Sequence, residues 1–359
     1  MPSTIQKPKV WNMSAELSSR LSHRPRELFY SMITISDPPK PMGASFQDHL
    51  SSIGILDRLP IELLFEALGE LDFQSITRFA RVSIRGRNMV RSFPAYRDLM
   101  NHASPALAAL SQTKLIHLHS ASDLRTALRT EGCATCPEYG VYLFLPTCER
   151  CCWECLRQNP MRRVISPTAA GRDFALSPKM VKQLPFMFSI PGTYRISRMP
   201  TQRSVKLCSM SAAKKLAMSI YGSTENLTQV VMCKNPKRSR DRYLQTVLSD
   251  RPCVDLLTVP DQGGIGTDRY FGMATIPFPS LTAPDVVEHG LWCKGCEWTY
   301  ERYRFQQLSA QVVANMVPTD FDPDRILLGM ARRARSRIGL LAHVRRCYGA
   351  QQLLANDEV

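Results

Sequence analysis

Six cysteines fall within twenty-three residues at Cys133–Cys155, CATCPEYGVYLFLPTCERCCWEC, and most of them form Cys-x2-Cys pairs. Two thiolates two residues apart sit on one tight turn and can face a single tetrahedral ion, and a second such turn completes four ligands. Cys133 and Cys136, followed after fifteen residues by Cys152 and Cys155, have ribbon-type zinc spacing. Cys148 and Cys151 make an overlapping pair. The bland alternative is a set of buried free thiols or a disulfide cluster. Between the turns, Tyr139 to Pro146 reads YGVYLFLP, which predicts a short strand.

A second pair, Cys293 and Cys296 in HGLWCKGCEW, has no partner pair close in sequence. The C-terminal LLAHVRRCYG offers His343 and Cys347, whose four-residue step places both on one face of a helix, and three cysteines with one histidine are an accepted structural zinc set. The rival arrangement joins Cys293 and Cys296 to Cys148 and Cys151 and leaves His343 and Cys347 in the core; spacing does not choose between the two. His289 is a weaker candidate. Cys208, Cys233 and Cys253 stand alone and read as small hydrophobes.

Catalysis needs a nucleophile, a base and a stabilising group together, and no cysteine stands out for that role. A thiolate held in a closed four-ligand zinc site leaves no position for water or substrate. GGIGT at 263–267 lacks the lysine of a P-loop and the third glycine of the dinucleotide fingerprint, so it reads as a turn. The chain is expected not to be an enzyme.

At 359 residues with a hydrophobic fraction of 44%, the chain has room for more than one folding unit. It has no apolar run of the roughly 18 residues that a membrane span needs. Its opening, MPSTIQKPKVWNMS, lacks the apolar segment of a secretory signal. An intracellular protein, cytoplasmic or nuclear, is expected, and there twelve cysteines argue for metal rather than disulfides. The net charge of +15 permits attraction to nucleic acid, acidic proteins or a membrane surface without choosing among them. Basic residues cluster in KNPKRSRDR at 234–242, which resembles a nuclear-localisation patch, and in ARRARSR at 331–337.

The elements that must position these groups can be read in outline. Residues 1–48, rich in Ser and Pro, predict a disordered tail. Ile61, Leu64, Phe65, Leu68 and Leu71 recur at helical spacing, with Pro60 at the first helical position and Asp57 upstream as a cap. Asp72 can cap a second helix carrying Ile76, Phe79 and Ala80, and a third segment with Met89 and Val90 ends before Pro94. These helices are too small to bury their apolar surface alone, which implies a partner. Residues 99–130 read as helical through Leu107, Leu110, Leu115 and Leu118. Ser211–Gly222 reads as a short core helix, and 249–288 as loops with a strand near 270–276. A helix with Phe305, Leu308, Val312 and Val313 precedes Pro318. Asp322 and Pro323 open a last long helix, with Ile326, Leu327, Met330, Ala334, Ile338 and Leu341 on its apolar stripe and Arg332, Arg333, Arg335 and Arg337 on a solvated face.

The stretch LPIELLFEALGELDFQSITRFARVS resembles an F-box, in its Leu-Pro opening, its Glu-Leu-Leu turn and the distance to its second helix. F-box modules dock on a Skp-family adaptor. The resemblance implies that Leu59, Pro60, Leu63, Leu64, Leu68, Ile76, Phe79 and Val82 form adaptor-facing or core surfaces, two roles the sequence does not separate. The chain departs from the pattern at IRGRNMV, where many F-boxes carry a tryptophan and where Gly86 lowers helix propensity by roughly 1 kcal/mol. The Cys-x2-Cys, strand, Cys-Cys-x2-Cys and later Cys pair are similar to those of filamentous-fungal F-box proteins of unassigned target. That likeness favours Cys133, Cys136, Cys152 and Cys155 as one zinc site and Cys293, Cys296, His343 and Cys347 as another.

The expected fold is α+β and predominantly helical: a disordered tail over 1–48, a three-helix F-box module at 53–100, a zinc-supported target-binding domain at 101–350 with short strands and a long C-terminal helix, and a tail at 351–359. The expected function is that of a substrate-recognition subunit of a cullin-based ubiquitin ligase, with two structural zinc ions. Two rivals are a RING-like ligase, which interleaves its ligand pairs in one compact stretch, and a zinc-containing nucleic-acid-binding protein, which would interleave aromatic and basic residues.

Overall fold

The computed structural model describes residues 10–43, 51–195, 198–234, 247–248, 268–283 and 285–356, with the side chains of 10–15 left aside. Lys234 is the only residue of the 234–242 basic run among these; Cys253 and the 263–267 turn lie outside them.

The fold is α+β and predominantly helical, with short strands. It opens with α1 (Val10–Leu21) and the two-residue β1 (Ser22–His23). The next helices are α2 (Ile61–Glu70), α3 (Phe73–Phe79) and α4 (Ile84–Ser92). Asp72 caps α3 as expected, accepting from the backbone N–H of Gln74 and Ser75. Ser83 caps α4 through the Gly86 N–H at 3.0 Å, so the third helix forms despite its glycine. Pro60 is the N-cap of α2 rather than its first residue, and Asp57 caps nothing. Its carboxylate instead accepts from Ser52 and the Ile53 N–H and pairs with Arg85, tying the turn before α2 to α4.

Helices α5 (Pro94–His102), α6 (Ser104–Gln112) and α7 (Ala121–Arg129) continue the same core. Leu107, Leu110 and Leu115 are buried there, while Leu118 turns to solvent. Asp98 on α5 accepts from Arg125 and Arg129 on α7, at 3.0 and 2.9 Å. Strands β2 (Tyr142–Phe144) and β3 (Glu149–Cys151) form a hairpin, and β2 pairs on its other edge with β9 (Thr275–Pro277). Helix α8 (Trp153–Gln158) starts directly after β3.

A second small core belongs to β4 (Val164–Ile165), β5 (Phe186–Phe188) and β8 (Lys206–Ser209), covered by α9 (Pro167–Asp173), α10 (Pro178–Val181), α11 (Met210–Tyr221) and α12 (Thr224–Lys234). The hairpin of β6 (Gly192–Tyr194) and β7 (Met199–Thr201) places Tyr194 in the main core instead. Helix α11 is capped by Ser209 rather than Ser211 and closes at Gly222, whose φ of 81° suits glycine. Cys208 is buried in this core as expected, but Cys233 is exposed.

The C-terminal part contains the pair β10 (Ser280–Ala283) and β11 (Val286–Glu288), then β12 (Leu291–Cys293), α13 (Lys294–Arg304), α14 (Ala310–Met316) and α15 (Pro323–Arg332). Strand β13 (Ala334–Arg335), α16 (Arg337–Val344) and α17 (Tyr348–Ala355) end it. The helix expected around Phe305 is therefore two helices, and Phe305 is exposed. The expected long C-terminal helix is three. Arg333 leaves the helical region, and Ala334 and Arg335 pair with Trp292 and Leu291, so strand pairing interrupts the helical period. Ile338 is 80% exposed as a result, and Arg332, Arg333 and Arg335 are half-buried rather than on a solvated face. Residues 351–355 are helical and Leu353 is buried, so the helix runs past 350.

The largest correction concerns the N-terminal segment, expected to be disordered through residue 48. Over 10–43 it is a strap across the molecule. Leu21, Leu28, Met32 and Ile33 are at most 2% exposed. Ser22 and His23 pair with Cys293 and Trp292, and the Ile33 N–H donates to the Thr275 carbonyl at 2.9 Å. Gly272, at φ 84°, passes so close to the Ser31 carbonyl that no side chain fits. Met13, Leu17 and Leu21 of α1 keep helical spacing, but beyond β1 the strap's apolar residues are scattered among polar ones, and their burial comes from distant partners. One apolar core runs from Leu28 through Leu64, Ile76 and Leu124 to Tyr142, Trp153 and Trp292. Residues 53–100 thus share their core with later parts of the chain.

Candidate metal centres and docking face

The first centre is built by the β2–β3 hairpin. The Cys133 N–H donates to the Glu138 carbonyl at 2.7 Å, closing the turn that carries Cys133 and Cys136. Cys152 follows β3 and is the N-cap of α8, where its Sγ accepts from the Cys155 N–H at 3.4 Å. The four Sγ atoms lie within 4.8 Å of one another. Cys136 Sγ is 3.6 Å from Cys152 Sγ and 3.5 Å from Cys155 Sγ. A tetrahedral zinc with Zn–S bonds of about 2.3 Å spaces its sulfurs about 3.8 Å apart, whereas a disulfide needs about 2.05 Å. The geometry suits an ion, and the disulfide alternative falls away.

The thiols also respond electrically to one another. Hydrogen bonds from Cys136, Cys152 and Cys155 hold the Cys133 thiol far below its ordinary value, and that neighbour in turn pushes Cys152 and Cys155 far up. A cluster that crowds like charges in this way is relieved by a divalent cation, because ligation lets all four sulfurs deprotonate.

The second centre joins residues far apart in the chain. Cys293 ends β12 and Cys296 lies in the first turn of α13, while His343 lies in the last turn of α16 and Cys347 is the N-cap of α17. Their ligand atoms also lie within 4.8 Å of one another. Cys347 Sγ is 3.8 Å from both Cys293 Sγ and Cys296 Sγ, and His343 Nε2 is 3.1 Å from Cys296 Sγ. The single helix expected from the spacing of His343 and Cys347 is not there; a turn at Arg345 separates them, and the fold brings them together regardless. Gly295 and Gly349 allow this. A Cβ on either would strike the other helix, so only glycines let α13 and α17 approach closely enough to align Cys296 with Cys347.

Cys148 and Cys151 belong to neither centre, which removes the rival pairing. Both are buried, and burial pushes each thiol up to about 12. His289 is exposed and outside both groups. Sequence reasoning missed the parts that hold the centres in place. Trp292, beside Cys293, meets Phe29 of the strap edge-on at 5.6 Å, and Phe29 lies 5.6 Å from Tyr142. Arg150, 2% exposed, donates to the carbonyls of Gly140, Ala127, Pro279 and Phe278, and burial pulls its guanidinium down to about 10. It locks the hairpin of the first centre to α7 and to the segment after β9.

The F-box-like helices show two faces. Leu64, Leu68 and Ile76 are at most 6% exposed and belong to the core, so of the two roles left open they take the core one and not the adaptor-facing one; Phe79 is half-buried and packs against the same core. Leu59, Leu63 and Val82 are 43, 50 and 73% exposed, and Pro60 is exposed beside them. Ile55, Leu56 and Ile61 are also exposed, a contribution that helical spacing could not reveal because Ile55 and Leu56 lie in a 3-10 turn. Residues 55–63 thus concentrate exposed apolar side chains in one short stretch.

Residues 56–98 match the F-box domain family. No curated protein and no solved structure matches the chain. Residues 56–98 are therefore an F-box domain, and the chain also holds two Cys/His groups able to bind metal. Among the described residues, no helix is long and apolar enough to cross a membrane.

Proposed function

We propose that this chain is the receptor subunit of a cullin-based ubiquitin ligase. The F-box docks on a Skp-family adaptor through Leu56, Leu59, Pro60, Ile61, Leu63 and Val82, and the remainder presents a protein target. The observation that carries this reading is an F-box whose exposed apolar face is backed by a core continuous with the rest of the chain. A receptor needs that continuity, because holding a target at a set distance from the ligase raises effective concentration only if the connection is stiff.

Both centres hold structural zinc in this reading, since a set of four cysteines and a set of three cysteines with one histidine each close the coordination shell. The chain performs no catalysis itself; it positions, in the cytoplasm or nucleus. A RING-like ligase is disfavoured because each centre here takes its ligands from consecutive pairs, 133/136 with 152/155 and 293/296 with 343/347, rather than from interleaved ones. Nucleic-acid binding is disfavoured because Arg333 pairs with Glu138 at 3.0 Å and Arg332 lies over Trp153, leaving these arginines committed within the chain.

The test is co-purification of the full chain with a Skp-family adaptor, wild type against Leu59→Ala/Leu63→Ala, with zinc quantified in the same eluates. A complex lost in the variant, with zinc retained, supports the reading. Absence of any complex with folded, zinc-loaded wild type overturns it.

A further inference from the structure

A cleft of about 700 Å³ separates α7 from the first metal centre. Asp123, Thr126 and Thr130 line one side, spaced so that they share a helix face, and the turn residues beside Cys133 and the β2–β3 turn line the other. Several side chains in its wall are more than nine-tenths buried, among them His119 at 8% exposure and Cys148 at 7%. His119 Nε2 lies 2.7 Å from the Leu145 carbonyl. A carbonyl can only accept, so Nε2 carries the proton and Nδ1 presents a lone pair, with no partner among the described residues. The Cys148 thiol has no partner among them either.

The wall is also rich in carboxylates. Asp123, Glu131 and Glu149 contribute carboxylates; one oxygen of Asp123 accepts from the Ser120 N–H at 3.2 Å in the cap of α7, and Glu131 forms no ion pair among the described residues. Glu149 is met from outside the cleft by Arg162 at 2.5 Å. Arg150 is the one lining cation among the described residues, and its N–H groups are committed to four backbone carbonyls. In a chain of net charge +15, this concave surface carries three carboxylates against one cation that is already committed.

We propose that this cleft is the target-recognition pocket, and that it takes a cationic side chain, an arginine or lysine, from a protein segment. Fixed acceptors around a partly enclosed space suit a donor-rich cation, since charge-assisted hydrogen bonds strengthen where water is excluded. The pocket's placement fits a receptor, and the inference rests on the proposed function for that role. Helix α7 is fastened to the F-box: the Ala121 N–H donates to the Leu71 carbonyl at 2.9 Å, and Ser120 bridges to Asp72. A segment held at α7 is thereby held at a set position from the adaptor face.

The test pans the full-length, zinc-loaded chain against a random heptapeptide library. Binding of one selected peptide is then measured by fluorescence anisotropy with its basic residue as Arg, Lys, Gln or Glu. Wild type and Asp123→Asn/Glu131→Gln are compared, two near-isosteric changes at the cleft rim. Selected peptides should share a basic residue, and either its change to Gln or the double variant should weaken binding about tenfold or more, with zinc content and adaptor binding unchanged. Peptides without a common basic residue, or a double variant that binds them equally well, would overturn the proposal. Equal binding of arginine amide or spermine would overturn the assignment to a protein segment. Adaptor binding is read separately, so loss of the ligase role and loss of the pocket give different results.

Discussion

Leu63 and Leu64 are neighbours in α2, yet truncating them should break different things. Leu64 is 6% exposed and sits in the shared core, so Leu64→Ala leaves a cavity and should cost about 2–5 kcal/mol of stability. Leu63 is 50% exposed. Full burial of a leucine is worth about 1.5–3 kcal/mol, so its buried half contributes about 1 kcal/mol to folding. The exposed half is what an adaptor would cover, and losing it should weaken binding by about 1 kcal/mol, close to fivefold in Kd. Adding Val82→Ala, at 73% exposure, should bring the loss beyond about tenfold. Urea unfolding gives the stability, and calorimetric titration with a purified Skp-family adaptor gives the affinity. The reasoning fails if Leu63→Ala destabilises as much as Leu64→Ala. It fails equally if folded Leu64→Ala loses more affinity than Leu63→Ala.

Other outcomes rest on the same geometry. Cys155→Ser and Cys347→Ser should each lower bound zinc from about two ions to about one per chain, and acidification should release both, because the ligands must be deprotonated; metal analysis after gel filtration checks this. At Asp98, burial favours the protonated form, but hydrogen bonds from Arg129 and Arg125 outweigh it and hold the carboxyl below its ordinary value. A depressed folded value means the stabilisation is complete above the unfolded pKa near about 4 and is lost as pH falls through the folded one. Asp98→Asn should therefore be less stable at pH 7 by about 1–2 kcal/mol, since both arginines are partly exposed, with the difference shrinking below about pH 4; urea midpoints across pH read it. Arg150→Met should cost about 3 kcal/mol or more by stranding buried carbonyls, and a loss under about 1 kcal/mol in urea unfolding would show that water replaces the guanidinium. Leu28→Ala in the strap should cost about 2–5 kcal/mol in the same assay, whereas a truly disordered segment would lose nothing.

Features set by neighbours in the chain could be read without the fold. The Cys-x2-Cys turns, the short strand between them, the Asp72 cap and the apolar spacing of α2 and α3 all depend on contacts a few residues apart, and the structure has them. Cys133, Cys136, Cys152 and Cys155 converge for the same reason, as one hairpin carries all four. Failures came where a distant partner decides. Residues 22–43 have no local apolar period and are ordered by β12, β9 and Tyr142, whereas Met13, Leu17 and Leu21 of α1 do keep helical spacing. The C-terminal helix breaks at Arg333 because Ala334 and Arg335 find a strand to pair with.

The amino-acid sequence alone pointed to an F-box and to one set of four cysteines able to hold a metal ion, since residue type and short-range spacing specify both. Only the tertiary structure decided which F-box leucines face solvent, because a helix buries whichever face the rest of the chain covers. It also paired Cys293 and Cys296 with His343 and Cys347 across two glycines, rather than with Cys148 and Cys151. Thiols equally suited by spacing become ligands only where the backbone brings their sulfurs within reach of one ion.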